Sequence, residues 1–196
     1  MRPIRHGSRD REAVAITFDD GPGPQSGAII DRLRSLDARA TFFLVGSRVA
    51  GNSEIVARLR AEGHEIGSHS WSHSRLAAKP GHALAELTRT SLAIRRAAGT
   101  TPRWFRPPYA DSSAGLGAIA RLGGMRTVTW DVDPRDWESP GADEIAENVL
   151  LQSFPGSVVL LHEGGEDTLA ALPTIVRGLR QRGLALVTVS ALLGRA

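Results

Sequence analysis

The sequence of 196 residues contains no cysteine. Disulfide bonds and thiolate metal sites are therefore excluded, and any metal ion has to be held by histidine, aspartate or glutamate. Lysine is almost absent as well, because Lys79 is the only one and the other basic side chains are arginines or histidines. The arginines are dispersed and the net charge is only +3, so composition argues against nucleic-acid binding.

Long apolar runs are also missing. No stretch of about 18 apolar residues occurs, which excludes a membrane-spanning helix. The first residues, Met1 to Glu12, are polar and arginine-rich, and they lack the apolar centre of a secretory signal. We therefore expect an N-terminal extension over residues 1–12, and a location in the cytoplasm or, if a leader has been removed, outside it. We also expect a monomer.

Short β-branched runs alternate with segments of helical period along the chain. Strands are predicted at Ala13–Phe18, Thr41–Val45, His64–Ser68, Arg103–Arg106, Met125–Val132, Ser157–Leu161 and Leu184–Val189. No internal repeat or interdomain linker interrupts this alternation. Seven strands that alternate with helices predict one α/β domain with a parallel sheet or barrel.

Ionisable side chains follow five of these strands, at the point where each strand ends. They are Asp19 and Asp20, His69 and His73, Arg106, Asp133 and Asp136, and His162. In a parallel barrel the carboxyl ends of the strands share one face, and active sites are built on that face. The pattern therefore predicts that these side chains meet at one site.

Two histidines, His69 and His73, are four residues apart and would share a face on a helical turn. This spacing suits two ligands of a zinc-like ion, although two exposed histidines around Trp71 would give the same pattern. The adjacent acids Asp19 and Asp20 offer a third ligand and a free base for a metal-bound water. The alternative for this pair is a turn signal, since Asp-Gly-Pro favours turns.

The other polar segments are less specific when each is taken alone. In Arg106-Pro107-Pro108-Tyr109 the prolines fix the backbone beside the arginine, but a surface loop would have the same sequence. Asp133-Pro134-Arg135-Asp136-Trp137 is equally compatible with a salt-bridged turn. His162 is of the residue type expected for a general acid, although a histidine at a strand end is often structural.

Taken together, these segments resemble the polysaccharide deacetylases, the NodB-homology group or carbohydrate esterase family 4. Five motifs match in the family's order: Thr17-Phe18-Asp19-Asp20-Gly21-Pro22, His69-Ser70-Trp71-Ser72-His73, Arg106-Pro107-Pro108-Tyr109, Asp133-Pro134-Arg135-Asp136-Trp137 and Leu160-Leu161-His162. The resemblance spans Ala13 to Leu193. It implies a single catalytic domain over residues 13–196 with the family's distorted (β/α)7 barrel.

The resemblance also implies a metal centre with a neighbouring base. Asp20, His69 and His73 would hold a divalent metal, usually zinc, with cobalt, nickel or manganese as alternatives. Asp19 would be the catalytic base, and Arg106 would orient it.

On the other side of the site, the resemblance implies an acid and a substrate pocket. His162 would be the acid and Asp136 its partner, while the Tyr109 backbone N–H would help to stabilise the oxyanion. Tyr109, Trp137 and Leu160 would contact the substrate, the last two around the acetyl methyl group.

Two positions depart from the family's usual motifs. Ala110 stands where glycine often follows the tyrosine, and Glu163 follows His162 where aspartate is common. Neither change removes a catalytic group, but the first can alter the loop that carries Tyr109.

The activity implied by the resemblance is hydrolysis of carbon–nitrogen bonds in a carbohydrate substrate. The enzyme would remove the N-acetyl group of N-acetylglucosamine in peptidoglycan or chitin oligomers and release acetate. The alternatives are an O-acetyl xylan esterase, an N-deacetylase of a small metabolite and a non-catalytic sugar-binding homologue. The intact set of base, acid and metal ligands argues against the last of these.

Overall fold

A seven-stranded parallel sheet runs through the centre of the computed structural model, which describes residues 2–194. Its strands are β1 (Ala13–Gly21), β2 (Thr41–Leu44), β3 (Glu65–Ser68), β4 (Trp104–Phe105), β5 (Arg126–Thr127), β6 (Val158–His162) and β7 (Ala185–Leu186). The spatial order is β5-β4-β3-β2-β1-β6, and β7 pairs with the start of β1. All seven predicted strands are therefore found, in the predicted sequence order.

Helices connect successive strands and cover the outside of the sheet. They are α1 (Ser26–Ser35), α2 (Gly46–Val49), α3 (Ser53–Ala61), α4 (Pro80–Ala98), α5 (Ala114–Leu122), α6 (Ala142–Gln152), α7 (Glu166–Gln181) and α8 (Val189–Leu192). Short 3₁₀ turns lie at residues 50–52, 108–110 and 136–138. Within residues 2–194, none of the helices has the length and hydropathy needed to cross a membrane.

The barrel is distorted between β5 and β6. The predicted fifth strand, Met125–Val132, is too long, because only Arg126–Thr127 pairs with β4. The chain then crosses to the other edge of the sheet, where Val132 makes a single bridge to Val159 of β6. Apolar residues recur along the whole segment, but its two ends pair with different strands.

The N-terminal segment lies across this gap. Ile4 bridges Val128, and His6 bridges Ser157. Asp131 interrupts the ladder here, because its Oδ1 accepts the Val158 backbone N–H at 2.7 Å in place of a carbonyl oxygen.

Alternation along β1 decides which of its side chains reach the inside of the barrel. One set packs outward beneath the helices in the main core: Val14, Ile16 and Phe18. The alternate positions face inward: Ala13 and Ala15 in the inner cluster, then Thr17 and Asp19. The two-residue period therefore carries Asp19 to the carboxyl end of the barrel interior.

The interior leaves no room for a side chain at Gly67 of β3. A Cβ on this residue would lie 2.5 Å from Cδ1 of Phe43, which is itself fully buried. We expect Gly67→Ala to lower the free energy of unfolding by about 1–3 kcal/mol, because an overpacked core forces its neighbours out of place. Urea-induced unfolding measures this change.

Gly81→Ala is the matched control, since a Cβ on Gly81 in α4 meets no atom within 4 Å. Its stability should be unchanged or slightly raised, because alanine favours a helix. Equal destabilisation of both variants would contradict the packing argument.

Candidate active site

Three side chains with metal-ligating atoms meet at the carboxyl end of the sheet. Asp20 comes from the end of β1, while His69 and His73 come from the loop after β3. Asp20 Oδ1 lies 2.9 Å from His73 Nε2 and 3.4 Å from His69 Nε2. One ligand atom from each residue lies within 4.8 Å of the other two. The structure thus brings the three predicted metal ligands together.

The spacing of the two histidines had indicated a helical turn, but this prediction is wrong. Residues 69–73 form an irregular loop, in which Ser70 and His73 have φ angles of 66° and 57°. The Ser70 hydroxyl accepts the His73 backbone N–H at 3.0 Å and closes the loop. The imidazoles share a face because of this turn, with ring centroids 5.0 Å apart.

The ligand atoms of the cluster face one another across a short gap. His69 Nδ1 lies 2.7 Å from the Arg106 carbonyl oxygen, which can only accept, so Nδ1 carries a proton and Nε2 is the nitrogen turned toward Asp20. Asp20 Oδ1 is buried, and no group in residues 2–194 donates a hydrogen bond to it. Burial raises the pKa of Asp20, but the closeness of His69 and His73 outweighs this and holds it well below its usual range.

An ionised carboxylate and two imidazole nitrogens therefore converge on one point. A divalent cation satisfies all three, and this set of nitrogen and oxygen donors is one that such ions prefer. The residues Asp20, His69 and His73 thus fit a bound divalent metal.

Asp19 projects inward beside this cluster and pairs with Arg106, which follows β4. Arg106 Nη1 lies 2.8 Å from Asp19 Oδ1, and the guanidinium is fully buried. Burial lowers the pKa of Arg106, while the charge of Asp19 opposes that change. Thr17 Oγ1 and the Thr129 carbonyl accept further N–H groups of Arg106. The other carboxylate oxygen of Asp19 lies 3.7 Å from His69 Nε2, so it faces the three-ligand cluster.

His162, at the end of β6, is held by Asp136. Asp136 Oδ1 lies 2.7 Å from His162 Nδ1, and Oδ2 accepts the His162 backbone N–H and the Thr168 hydroxyl. Burial lowers the pKa of His162, but the hydrogen bond and charge of Asp136 outweigh it and raise the pKa to about 9. The imidazole therefore carries a proton at neutral pH.

A cavity of about 460 Å³ opens over these groups. Eight of the ten predicted site residues line it: Asp19, Asp20, His69, His73, Tyr109, Trp137, Leu160 and His162. The other two, Arg106 and Asp136, lie behind it and contact Asp19 and His162. Tyr109 and Trp137 are each 57% exposed, so the cavity has an aromatic rim.

The sequence model of the polysaccharide deacetylase family matches residues 6–128. The chain belongs to the polysaccharide deacetylase family. It is 37% identical over 190 residues to a peptidoglycan-N-acetylglucosamine deacetylase of Bacillus cereus, covering 94% of this chain and 89% of that protein. It is also 37% identical over 188 residues to a chitooligosaccharide deacetylase of Bradyrhizobium sp., covering 87% and 86% respectively.

The solved structures extend this likeness to the fold. A family 4 carbohydrate esterase from Bacillus anthracis, described as a pseudoenzyme, superposes with a TM-score of 0.93 at 29% identity, covering 98% of this chain and 69% of that one. The predicted distorted (β/α)7 barrel in a single domain is confirmed. Because this fold also occurs in a pseudoenzyme, the case for catalysis depends on the side chains described above.

The departure at Ala110 coincides with a strained loop in this polysaccharide deacetylase. Tyr109 and Ala110 have φ angles of 59° and 54°, in the left-handed region that favours glycine. A residue with a Cβ costs roughly 1–2 kcal/mol there. The Tyr109 hydroxyl lies 3.1 Å from His73 Nδ1, a contact by which the loop reaches the three-ligand cluster.

Glu86 of α4 is a functional residue that the sequence analysis missed. Its Oε2 accepts the backbone N–H groups of Trp71 and Ser72, each at 2.8 Å, and its Oε1 accepts the Ser72 hydroxyl at 2.9 Å. Glu86 is only 5% exposed. A buried carboxylate on α4 therefore fixes the loop between His69 and His73.

A signal for Glu86 was present in the sequence. Ala83, Leu87, Thr90 and Ile94 follow helical spacing and are buried, and Glu86 lies on the same face of α4. A charge on the buried face of a helix needs compensation, since an unpaired buried charge is costly. Such a position predicts a specific partner, although the identity of that partner depends on the tertiary structure.

We expect Glu86→Ala to lower the free energy of unfolding by about 1–3 kcal/mol, because it removes the acceptor of three partly buried hydrogen bonds from one loop. Cation binding should weaken at the same time, since His73 lies on the released loop. Glu86→Gln keeps an acceptor oxygen and should lose less than half as much. Urea unfolding and titration with Co²⁺ measure the two effects.

His82→Ala is the control for this experiment. His82 Nε2 approaches Glu86 Oε1 at 3.4 Å from the exposed side of α4 and does not touch the loop. If Glu86→Ala behaved like His82→Ala, the loop would not depend on the carboxylate.

Proposed function

We propose that this protein is a zinc-dependent deacetylase that hydrolyses the N-acetyl group of N-acetylglucosamine units in peptidoglycan or chitin oligomers. The observation that carries the proposal is the meeting of Asp20, His69 and His73 around a buried oxygen that has no hydrogen-bond partner in residues 2–194, beside a further carboxylate and a protonated imidazole. The names of the two relatives support an N-acetylated glycan as the substrate.

Two imidazoles and one carboxylate, with further positions open to the cavity, are a ligand set typical of catalytic zinc, and cobalt, nickel or manganese would suit the same donors. When bound, the metal would polarise the acetyl carbonyl and make an attacking water more acidic. The remaining steps fall to the side chains around the cavity.

Asp19 is the proposed base. Its Oδ1 is tied to Arg106, which fixes the orientation of the carboxylate, while Oδ2 faces the cluster. This oxygen is placed to take the proton of a water that attacks the acetyl carbon. Arg106 orients the base without reaching the substrate, since it is fully buried.

His162 is the proposed acid, at the end of β6, where it pairs in register with Asp19 of β1. Its raised pKa keeps a proton available for the amine that leaves as the amide bond breaks. The two groups sit in separate environments, which allows one to be ionised and the other protonated at the same pH. The products are acetate and a free amino sugar.

The apolar wall of the cavity offers a place for the acetyl methyl group. Leu160 is buried, and Trp137 lies at the rim, so together they exclude water from one side of the acetyl group. The Tyr109 backbone N–H is the proposed oxyanion donor, a type of contact worth several kcal/mol in acyl transfer.

Acetate release tests the proposal directly. The substrates are chitin oligomers, peptidoglycan, acetylated xylan and N-acetylglucosamine monomer, each with and without a chelator and with zinc added back. We expect release from the first two, its loss with chelator and its recovery with zinc. Release from xylan alone would indicate an esterase, release from the monomer alone would indicate a small-metabolite deacetylase, and sugar binding without release would indicate a pseudoenzyme.

A pair of variants separates the base from a metal ligand. We expect Asp19→Asn to retain Co²⁺ binding and to lower kcat by a factor on the order of 10²–10⁴, the range for loss of a general base. We expect His69→Ala to lose cation binding and activity together. Calorimetric titration and acetate release measure both properties, and unaltered turnover in Asp19→Asn would refute the assignment of the base.

The pKa of His162 should depend on Asp136. In the metal-free protein, NMR titration should place the His162 pKa at about 9, and Asp136→Asn should lower it, because burial then acts without its counterion. The acid works only when protonated, so the high-pH limb of the rate profile should move to lower pH in this variant. At pH 8 we expect kcat to fall on the order of 10²-fold.

Glu138→Gln is the control, because Glu138 is exposed on the same 3₁₀ turn and pairs with Arg135. Its pH profile should match that of the wild type. A profile that stayed in place in Asp136→Asn would contradict the role of this pair.

A further inference from the structure

Glu163 is a buried acid that belongs to none of the groups described above. It follows His162 directly, and it is only 2% exposed. Its backbone N–H donates to the Asp19 carbonyl oxygen at 3.1 Å, which continues the pairing of Asp19 with His162 between β1 and β6. Glu163 therefore lies where β6, which carries His162, pairs with β1, which carries Asp19.

The side chain of Glu163 runs beneath the turn that follows Asp20. A Cβ on Gly21 would lie 1.7 Å from Glu163 Oε1 and 2.3 Å from its Cδ, so the carboxyl group occupies the space that a side chain at residue 21 would need. The close approach explains why residue 21 is a glycine although its φ angle is negative.

The far end of the carboxyl group reaches the start of α1. The Ser26 hydroxyl donates a hydrogen bond to Glu163 Oε2 and accepts the Gly23 backbone N–H at 2.8 Å. Ser26 is fully buried. One side chain thus joins the end of β6, the turn after Asp20 and the first residue of α1.

The turn needs such support because Asp20 has a φ angle of 70°, an unfavourable backbone conformation for a residue with a Cβ. Arg48 donates to the Asp20 carbonyl from the open side, and Glu163 supports the turn from the buried side. Burial raises the pKa of Glu163 to about 7, against the opposing hydrogen bond from Ser26. A neutral carboxyl group of the same shape would therefore fill the same space.

We propose that Glu163 is a positioning residue that, through Gly21 and Ser26, fixes Asp19 and Asp20 relative to His162. The role in catalysis rests on the proposed function, whereas the role in placing Asp20 does not. Glu163 does not line the cavity over the three-ligand cluster, so we expect it to act through the geometry of its neighbours. Small displacements of catalytic groups are costly, with about 10²-fold lost for 1 Å.

The test compares three variants of the full chain. We expect Glu163→Ala to lower kcat by about 10–100-fold, to raise the Kd for Co²⁺ about tenfold, and to leave KM within about threefold. Ser26→Ala should change both quantities in the same direction, and the double variant should lose no more than Glu163→Ala, since coupled positions are not additive. Glu163→Gln keeps the length and an acceptor for Ser26, so its kcat and Kd should stay within about threefold of the wild type.

Glu166→Ala is the matched control, because Glu166 is an exposed acid three residues further along. Urea unfolding of every variant gives its folded fraction, and Co²⁺ affinity and the cobalt absorption spectrum are read on folded protein. Unchanged Co²⁺ affinity and kcat in folded Glu163→Ala and Ser26→Ala would overturn the proposal, as would a loss in Glu163→Gln as large as that in Glu163→Ala.

The Co²⁺ measurements need no substrate. If the wild type released acetate from none of the substrates, the proposed function would fail, and the Kd ratio of the variants would still decide whether Glu163 positions Asp20.

Discussion

The site depends on a buried carboxylate oxygen of Asp20 that faces two imidazole nitrogens and has no hydrogen-bond partner within residues 2–194. In a medium of low polarity, a buried polar atom without a partner is unfavourable, and a cation bound beside it removes that cost. One ligand atom each of Asp20, His69 and His73 lies within 4.8 Å of the other two. The fold therefore holds these atoms in an arrangement that becomes favourable when a divalent metal binds.

Several contacts hold the residues of the cluster in place. Asp20, Ser70 and His73 all have left-handed backbone conformations, each costing roughly 1–2 kcal/mol. Buried acids hold the two segments that carry the ligands: Glu86 binds the histidine loop, and Glu163 lies under the aspartate turn. Strain that persists at one site in this way is typical of catalytic centres, where stability is exchanged for geometry.

Buried charges are paired in the same way at the proposed base and at the proposed acid. Arg106 is fully buried and has Asp19, Thr17 and a backbone carbonyl as partners, so removing any one of them leaves a costly unpaired group. Asp136 likewise has three donors, two of them from His162. These pairs fix the rotamers of the proposed base and acid.

Much of this arrangement could be predicted because it follows from periodicity. Parallel strands end at one face, so Asp19, His69, Arg106 and His162 were expected together, and the alternation along β1 sets the inward direction of Asp19. The path of the chain after β5 could not be predicted, because the alternation of apolar residues does not show which strand each end of the segment will pair with. The turn at His69–His73 could not be predicted either. The Ser70 hydroxyl closes it, and Glu86 holds it from α4, a different element of the chain. Glu86 and Glu163 were missed as supports because their partners lie on other elements of the chain, which only the tertiary structure brings together.

The most direct test of the account is the anomalous diffraction of crystals grown with zinc. The account predicts one strong peak between Asp20 Oδ1, His69 Nε2 and His73 Nε2, at about 2.0–2.2 Å from each, with Asp19 outside the ligand shell. A peak elsewhere, or none at this position in crystals of protein that releases acetate, would contradict it.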